Sequence, residues 1–413
     1  MDAAPPSSAS PTVLHVDAER GFSGGEVQVL HLIRGLLAAG IEQLLVAPPG
    51  AALLARAEEA FEAELAGGQL QLVEIAMRNN ADLLAVHALR KLFRRHRANG
   101  IVHLHTGRAT WLGAWAARGL GLPVVATRRM DRRVKTGWGT RSQYAKRIDR
   151  IVAISGPVQA QLLDAGVPAD KVEVIHSAVD PGSLRADPEL GAAVRAELGL
   201  GEEAFVLLVL AHLTHRKGVD VLLRSMLRLR QESGLDSLRA RNSRAAAASR
   251  KGVAVPMSAE MPASTAMPTL LIAGDGPVRA SLEEQAKLSS LGDAVRFLGH
   301  REDKHALLSA ADAVVLPSRQ EGLGVAALEA MAAGRAVVAS AVGGLGEAVV
   351  DGQTGLLVAP DVERELSVAL RKLLKDRDLC RRLGRAGPLR VQADYSVDGM
   401  VAAYQALYAR LRS

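Results

Sequence analysis

Two glutamates and a lysine carry the strongest chemical signal in this chain. The run Pro317-Ser318-Arg319-Gln320-Glu321-Gly322-Leu323-Gly324 leads into Val325-Ala326-Ala327-Leu328-Glu329-Ala330-Met331-Ala332-Ala333-Gly334. The pattern predicts a helix over about Gly324 to Ala333, with Gly334 as its stop. Glu329 then falls mid-helix among apolar neighbours, so it is expected to be buried, and a buried carboxylate needs partners. Glu321 precedes the helix start, so both carboxylates can face one pocket. The amides of Gly322, Leu323 and Gly324 point the same way and favour an anion. A ligand with vicinal hydroxyls and a diphosphate would match the set. The competing reading is a buried ion pair from Glu329 to a nearby arginine. Lys217 ends Ala211-His212-Leu213-Thr214-His215-Arg216-Lys217-Gly218, ahead of a helix starting about Val219. A cation there opposes the helix dipole unless an anion lies between, and a phosphate would satisfy both. The plainer alternative is an exposed lysine at a helix start.

The elements that must position these residues read as strand, then helix, repeated. Expected strands are 12–16, 44–47, 70–75, 101–105, 124–126, 151–154 and 172–175, and after Asp180-Pro181-Gly182 a second set at 205–210, 270–273, 295–298, 313–316, 337–339 and 356–358. Short, non-alternating apolar strands between helices indicate parallel sheets covered on both faces. The fold class is therefore α/β, with two doubly wound halves. In such sheets ligands bind beyond the carboxyl ends of the strands, which is where Lys217 and Glu321 stand. The expected division is a disordered leader over 1–11, a first domain over 12–184, a second over 185–391 and a terminal helix over 392–413. Residues 233–268, rich in Ala, Ser, Arg, Met and Pro, are expected to be a disordered insertion.

Composition narrows the classes. With 413 residues, 48% of them apolar and 23% charged, the chain has ample core for two domains and disorder is excluded as the default. The single cysteine, Cys380, excludes a disulfide scaffold or multi-cysteine zinc module and suggests a reducing compartment. The start MDAAPPSSAS has neither a basic nor an apolar signal region, and no apolar run is long enough to span a bilayer. A cytoplasmic protein is expected, or one peripheral on the inner face of the cytoplasmic membrane. Between Arg128 and Arg150 nine Lys or Arg face two Asp, a local +7 that equals the whole formal charge of +7. A solvated surface and an anionic membrane or acceptor both fit this stretch. Nucleic acid is not expected, since only Trp138 and Tyr144 could stack there.

These segments resemble the signature of the family 4 retaining glycosyltransferases of the GT-B fold. The resemblance runs through Lys217-Gly218, Glu321 to Gly334, Gly274-Asp275-Gly276-Pro277, Phe297-Leu298-Gly299, Val342-Gly343-Gly344 and Asp351 to Val358. In the first half it covers Ser23-Gly24-Gly25-Glu26, Val102-His103-Leu104-His105 and Ile151 to Asp180. It implies two Rossmann-like domains across a cleft, with the donor in the second and the acceptor in the first. By that resemblance Glu329 would hold the ribose hydroxyls of a nucleoside-diphosphate sugar, and Glu321 would lie by the transferred sugar. The Gly322, Leu323 and Gly324 amides would serve sugar and phosphate, and Lys217 the diphosphate. Gly24 and Gly25 would form a loop admitting donor and acceptor, and His105 would sit near the reacting centre. The family usually has Gly-Arg-Leu where this chain has Ala211-His212-Leu213, so His212 or Arg216 would replace the second phosphate cation. The implied reaction moves a hexose to a hydroxyl of a glycan or glycolipid, such as a lipopolysaccharide, capsule or other envelope glycan, with retention and no required metal or other cofactor. A nucleotide-sugar epimerase and a non-catalytic sugar-nucleotide-binding protein are the rival readings.

Three further signals are weak. Gly274-x-Gly276 lacks the third glycine of a dinucleotide fingerprint, because position 279 is arginine. Asp376-Arg377-Asp378 is expected to be a solvated helix start. His103 and His105, alternating on one strand, are expected on opposite faces and so not as a paired metal site.

Overall fold

The computed structural model describes residues 11–130, 144, 146–232, 267–289 and 291–412. The leader, most of the 233–268 insertion and the centre of the 128–150 basic stretch lie outside the described residues. The chain divides into two compact units, Met1–Val179 with Asp394–Ser413, and Asp180–Ala393. Each is built around its own parallel sheet.

The first unit holds seven strands: β1 (Thr12–Val16), β2 (Gln43–Ala47), β3 (Leu70–Glu74), β4 (Gly100–Leu104), β5 (Val124–Arg128), β6 (Arg150–Ala153) and β7 (Val172–Val174). Their order is β3-β2-β1-β4-β5-β6-β7. The chain winds outward from β1 to β3, then returns to pair β4 against β1, with His15 opposite His103. Strand order therefore reverses between β1 and β4, and a crevice opens beyond their carboxyl ends. The terminal helix Val397–Arg412 belongs to this unit. Met400, Val401, Tyr404, Leu407 and Tyr408 are buried with Val13, Ile101, Val125 and Val152 of the sheet. Its stripe recurs at helical spacing, so one face covers the sheet and the other meets water.

The second unit holds six strands: β8 (Val206–Leu210), β9 (Thr269–Ala273), β10 (Val295–Gly299), β11 (Ala313–Leu316), β12 (Ala336–Ser340) and β13 (Gly355–Val358), in the order β10-β9-β8-β11-β12-β13. The reversal here lies between β8 and β11. Leu207, Val209, Leu270, Ile272, Val315 and Val338 of the sheet share one core with Leu222, Met226, Leu370 and Leu383 of the covering helices. Both sheets are parallel throughout, so every loop at a carboxyl end emerges on the same edge of its own sheet.

Candidate active site

In the second unit, the loops after β8 and β11 flank the strand-order reversal. His215–Lys217 forms a single 3-10 turn closed by Gly218 at φ +62°, ahead of helix 219–232. A Cβ on Gly218 would stand 1.9 Å from the Pro317 carbonyl oxygen, so only glycine lets the two loops touch. That contact delivers Lys217 to Glu321. Lys217 Nζ donates to Glu321 Oε2 at 2.6 Å, and Ser318 Oγ donates to the same oxygen at 3.2 Å. Gly343 locks the loop from the other side: at φ +49° its absent Cβ would lie 1.8 Å from the Glu321 carbonyl oxygen. The helix Val325–Ala332 begins immediately after, behind Gly324 in the left-handed region.

Glu329 is buried in the middle of that helix, as its apolar neighbours require. Its partner is a lysine, not the arginine weighed from sequence: Lys304, at the start of helix Lys304–Ala310, donates to Glu329 Oε1. The helix is too apolar to offer Glu329 a partner of its own, so the ammonium comes from the segment after β10. His212 is exposed, and its Nδ1 lies 2.7 Å from the Asp275 carbonyl oxygen. A carbonyl only accepts, so Nδ1 carries a proton and donates to it. Arg216 shares this loop, and its carbonyl accepts from the Arg319 amide at 2.7 Å. Arg319 itself is tied to Asp220 by two bonds of 2.7 Å and to Asp361 by a third. Burial opposes ionisation of Asp220, but the hydrogen bonds from Arg319 and Arg224 win and hold its carboxyl down at about 2. This cluster fixes the loop. The carboxylates of Glu321 and Glu329 thus each take a separate ammonium.

In the first unit a cavity of about 340 Å³ opens at the β1–β4 reversal, lined among others by Asp17, Ser23, Gly25, Glu26, His105 and Arg129. The expected loop at Gly24 and Gly25 is instead the first turn of helix Gly24–Ala38. Ser23 caps that helix: Glu26 accepts from the Ser23 amide at 2.7 Å and from Ser23 Oγ at 2.6 Å. The Ser-x-x-Glu box makes this turn helical. Asp17 follows β1 and is 1% exposed. Burial pushes its carboxyl up to about 7; the Glu19 amide opposes this, Glu26 adds to it and Arg129 counters it. Arg129 was expected in a surface patch, but its Nη2 reaches inward to within 3.4 Å of His105 Nδ1, and its Nε is buried without a hydrogen-bond partner among the described residues. Arg147, from the same basic stretch, lies over the Trp115 ring at 3.9 Å.

The expected placement of His103 and His105 on opposite faces is wrong. Side chains two positions apart along a strand share a face, and their ring centroids are 4.0 Å apart, with His15 completing a buried trio. Ring nitrogens of the three lie within 4.8 Å of one another. They are nonetheless engaged. His15 bridges His105 and Gln43 at 2.9 Å on each side, and His103 bridges the Tyr408 hydroxyl and Thr127 Oγ1 at 2.7 Å on each side. The Arg129 guanidinium beside His105 also opposes a second cation. Burial holds all three imidazoles below their usual range, His15 down to about 4. Asp376 does start a helix: its Oδ1 caps Arg377–Asp394 through the Leu379 amide at 2.8 Å.

Sequence reasoning did not single out Asp17, Arg129, His15, Gln43 or Lys304. Two signals were readable. Asp17 directly follows a strand, and His15 interrupts an otherwise apolar one.

Comparison with known proteins gives the family. Residues 22–183 match the profile described as Glycosyltransferase Family 4, and residues 258–390 that described as Glycosyl transferases group 1. A glycogen synthase of Mycobacterium tuberculosis is 42% identical over 142 residues, and the match spans 34% of each chain, about a third of that relative's length. A D-inositol 3-phosphate glycosyltransferase of a Nocardioides species is 31% identical over 342 residues, covering 76% of this chain and 68% of the other. Among solved structures, Anabaena Alr3699/HepE in complex with UDP-glucose superposes with a TM-score of 0.77 at 18% identity, covering 97% of this chain and all 100% of that one. Among the described residues no helix is long and apolar enough to cross a membrane. The chain belongs to glycosyltransferase family 4, built as two Rossmann-like parallel-sheet units of the GT-B kind.

Proposed function

We propose that the protein transfers a hexose from a nucleoside-diphosphate sugar to a hydroxyl of a glycan or glycolipid, with retention at the anomeric carbon. The observation that carries the reading is the Lys217–Glu321 contact at 2.6 Å at the strand-order reversal of the second unit, in front of the helix that bears Glu329. The family relationship supports it, and so does the UDP-glucose held by the Anabaena neighbour. In this reading the ribose hydroxyls donate to Glu329, displacing or sharing the Lys304 ammonium. The diphosphate takes Lys217 and the amides at the start of helix Val325–Ala332. Charge-assisted bonds of this kind are worth about 1.5–3 kcal/mol each, and they strengthen as charge develops on the leaving group. His212 or Arg216, both in the loop that carries Lys217, is read as the second phosphate cation.

Retention without a dedicated nucleophile is read as front-face transfer, in which the departing diphosphate helps take the acceptor's proton. His105 orients the acceptor hydroxyl or the sugar. The donor site is read as needing no metal, because lysines and helix amides supply its positive charge. An acceptor attached to an envelope lipid would account for the 128–150 basic stretch.

The test is thermal unfolding with UDP, GDP and ADP, on the wild type and Glu329→Ala. Ligand at about 100 times its dissociation constant stabilises by about 2.7 kcal/mol. One nucleotide is expected to shift the wild type and not the variant. No shift with any nucleotide removes the donor-site assignment and favours a protein that binds sugars without transferring them.

A further inference from the structure

A single-file chain of hydrogen bonds runs from β2 to the cavity of the first unit, and its polarity can be read link by link. It begins at Gln43, 1% exposed. Gln43 Nε2 donates to the Ile33 carbonyl at 3.0 Å and lies 3.4 Å from that of Ile41. Turning the amide over would set its oxygen against two carbonyl oxygens, so Oε1 must face His15. His15 Nε2 lies 2.9 Å from that oxygen. An amide oxygen only accepts, so His15 Nε2 bears the proton. His15 is fully buried and neutral, which leaves Nδ1 as a lone pair. That lone pair is 2.9 Å from His105 Nε2, which must therefore donate. His105 in turn is left with a bare Nδ1. At that end stands Arg129 Nη2 at 3.4 Å, a group that can only donate. The two ends of the chain agree.

We propose that Gln43 and His15 are positioning residues that lock His105 as a neutral imidazole with its proton on Nε2 and its Nδ1 lone pair facing the cavity. A ligand hydroxyl that takes the place of Arg129 Nη2, 3.4 Å from this lone pair, donates to His105, and a phosphate or carbonyl oxygen in the same place is rejected. The selection of a hydroxyl rests on the cavity being the acceptor site; the tautomer does not. Gln43 cannot take up a proton, so the chain orients His105 without carrying charge away from it. The groups that face the chain are consistent with neutrality: His103 on β4, Arg129 after β5, Asp17 after β1, Glu26 on the first helix, and Tyr404 and Tyr408 on the terminal helix. His103 is held by Tyr408 and Thr127 and stays outside the chain.

The test is a long-range proton–nitrogen NMR correlation on the full chain, labelled with nitrogen-15 at its 11 histidines. His15→Asn and His105→Asn assign the signals. In the wild type, both rings are expected with the proton on Nε2 and without titration between about pH 5.5 and 8. In Gln43→Met the His105 signal is expected to spread over both tautomers. Gln43→Glu supplies a carboxylate, so His15 should titrate at least about two units higher, and at pH values below that titration His105 should invert to the Nδ1-protonated form. Hydrolysis of UDP-glucose is the functional readout: Gln43→Met is expected to lower kcat about tenfold and leave KM within about twofold. A wild-type His105 protonated on Nδ1, or a His105 tautomer indifferent to both Gln43 variants, overturns the proposal. If Gln43→Met fails to fold, the wild-type spectrum and Gln43→Glu still decide. Absence of UDP-glucose hydrolysis in the wild type would count against the transferase reading and leave the tautomer result standing.

Discussion

Asp17→Asn separates the buried cavity from an ordinary surface carboxylate. The Asp17 carboxyl is raised from 3.8 to about 7, chiefly by burial. A group whose folded pKa is raised gives its full stability below the unfolded pKa, and that stability is lost as pH rises through the folded pKa. The window is therefore about pH 4 to 7. A shift of about 3 units corresponds to about 4 kcal/mol above pH 7, an upper bound because Arg129 and local relaxation lessen it. At about pH 5 little more than one unit of that penalty has developed, or roughly 1.5 kcal/mol. Asparagine keeps the oxygen that accepts from the Glu19 amide at 2.8 Å and removes the titration. The variant should gain on the wild type by roughly 2 kcal/mol more at pH 8 than at pH 5. All three tryptophans of the sequence fall within the span of the first unit, Trp111 and Trp115 on its helix Gly107–Ala117, so urea unfolding followed by tryptophan fluorescence reads that unit. A gain equal at both pH values, or larger at the lower one, refutes the argument from burial.

Three other outcomes follow from the second unit. Lys217→Met should weaken UDP binding at least about tenfold, the loss of one charge-assisted bond, by isothermal titration; unchanged affinity removes Lys217 from the phosphate site. Gly343→Ala forces a Cβ against the Glu321 carbonyl at a positive φ. It should abolish UDP binding and speed amide exchange over residues 317–345, and normal exchange there would show that the loops are not locked together. Lys304→Met leaves Glu329 buried without its ammonium and should destabilise the second unit by roughly 1–3 kcal/mol. Saturating UDP should recover part of that loss in thermal unfolding, and equal losses with and without UDP would argue against ribose on Glu329.

The strands were legible because buried parallel strands are unbroken apolar runs, and none needs a partner to be recognised. Lys217 and Glu321 were legible because each stands in a loop directly after such a run. What joins them, the adjacency of β8 and β11, is a matter of sheet order that no single segment displays. The same holds more strongly in the first unit. Gln43, His15 and His105 come from β2, β1 and the end of β4, which are neighbours only after folding. Lys304 reaches Glu329 across the fold in the same way. Two errors had local remedies. His103 and His105 share a face by the two-residue period of a strand. Ser23 with Glu26 spells a capping box, which places Gly24 and Gly25 in a helix rather than a loop.

The two strand-order reversals are used differently. In the second unit the charged groups are paired, the more exposed ammoniums of Lys217 and Lys304 with the more buried carboxylates of Glu321 and Glu329, so an incoming polyanion meets ammonium groups already held in place. In the first unit the imidazoles and Asp17 are buried, and burial removes their charge rather than pairing it, leaving Arg129 as the cation beside them. His15 and His105 stay neutral, and Asp17 keeps its proton up to about pH 7. These neutral groups, set beside the Arg129 guanidinium, discriminate by hydrogen-bond direction. His105 Nδ1 offers a lone pair, and a protonated Asp17 offers a donor. A hydroxyl can use both, because it donates and accepts at one atom. A carboxylate or phosphate oxygen uses only the second. If Asp17 is one of the two groups that hold the hydroxyl, acceptor affinity must fall as pH rises past 7 while UDP affinity, set by the second unit, stays level. A common pH dependence for both ligands would refute a role for Asp17 in holding the acceptor alone.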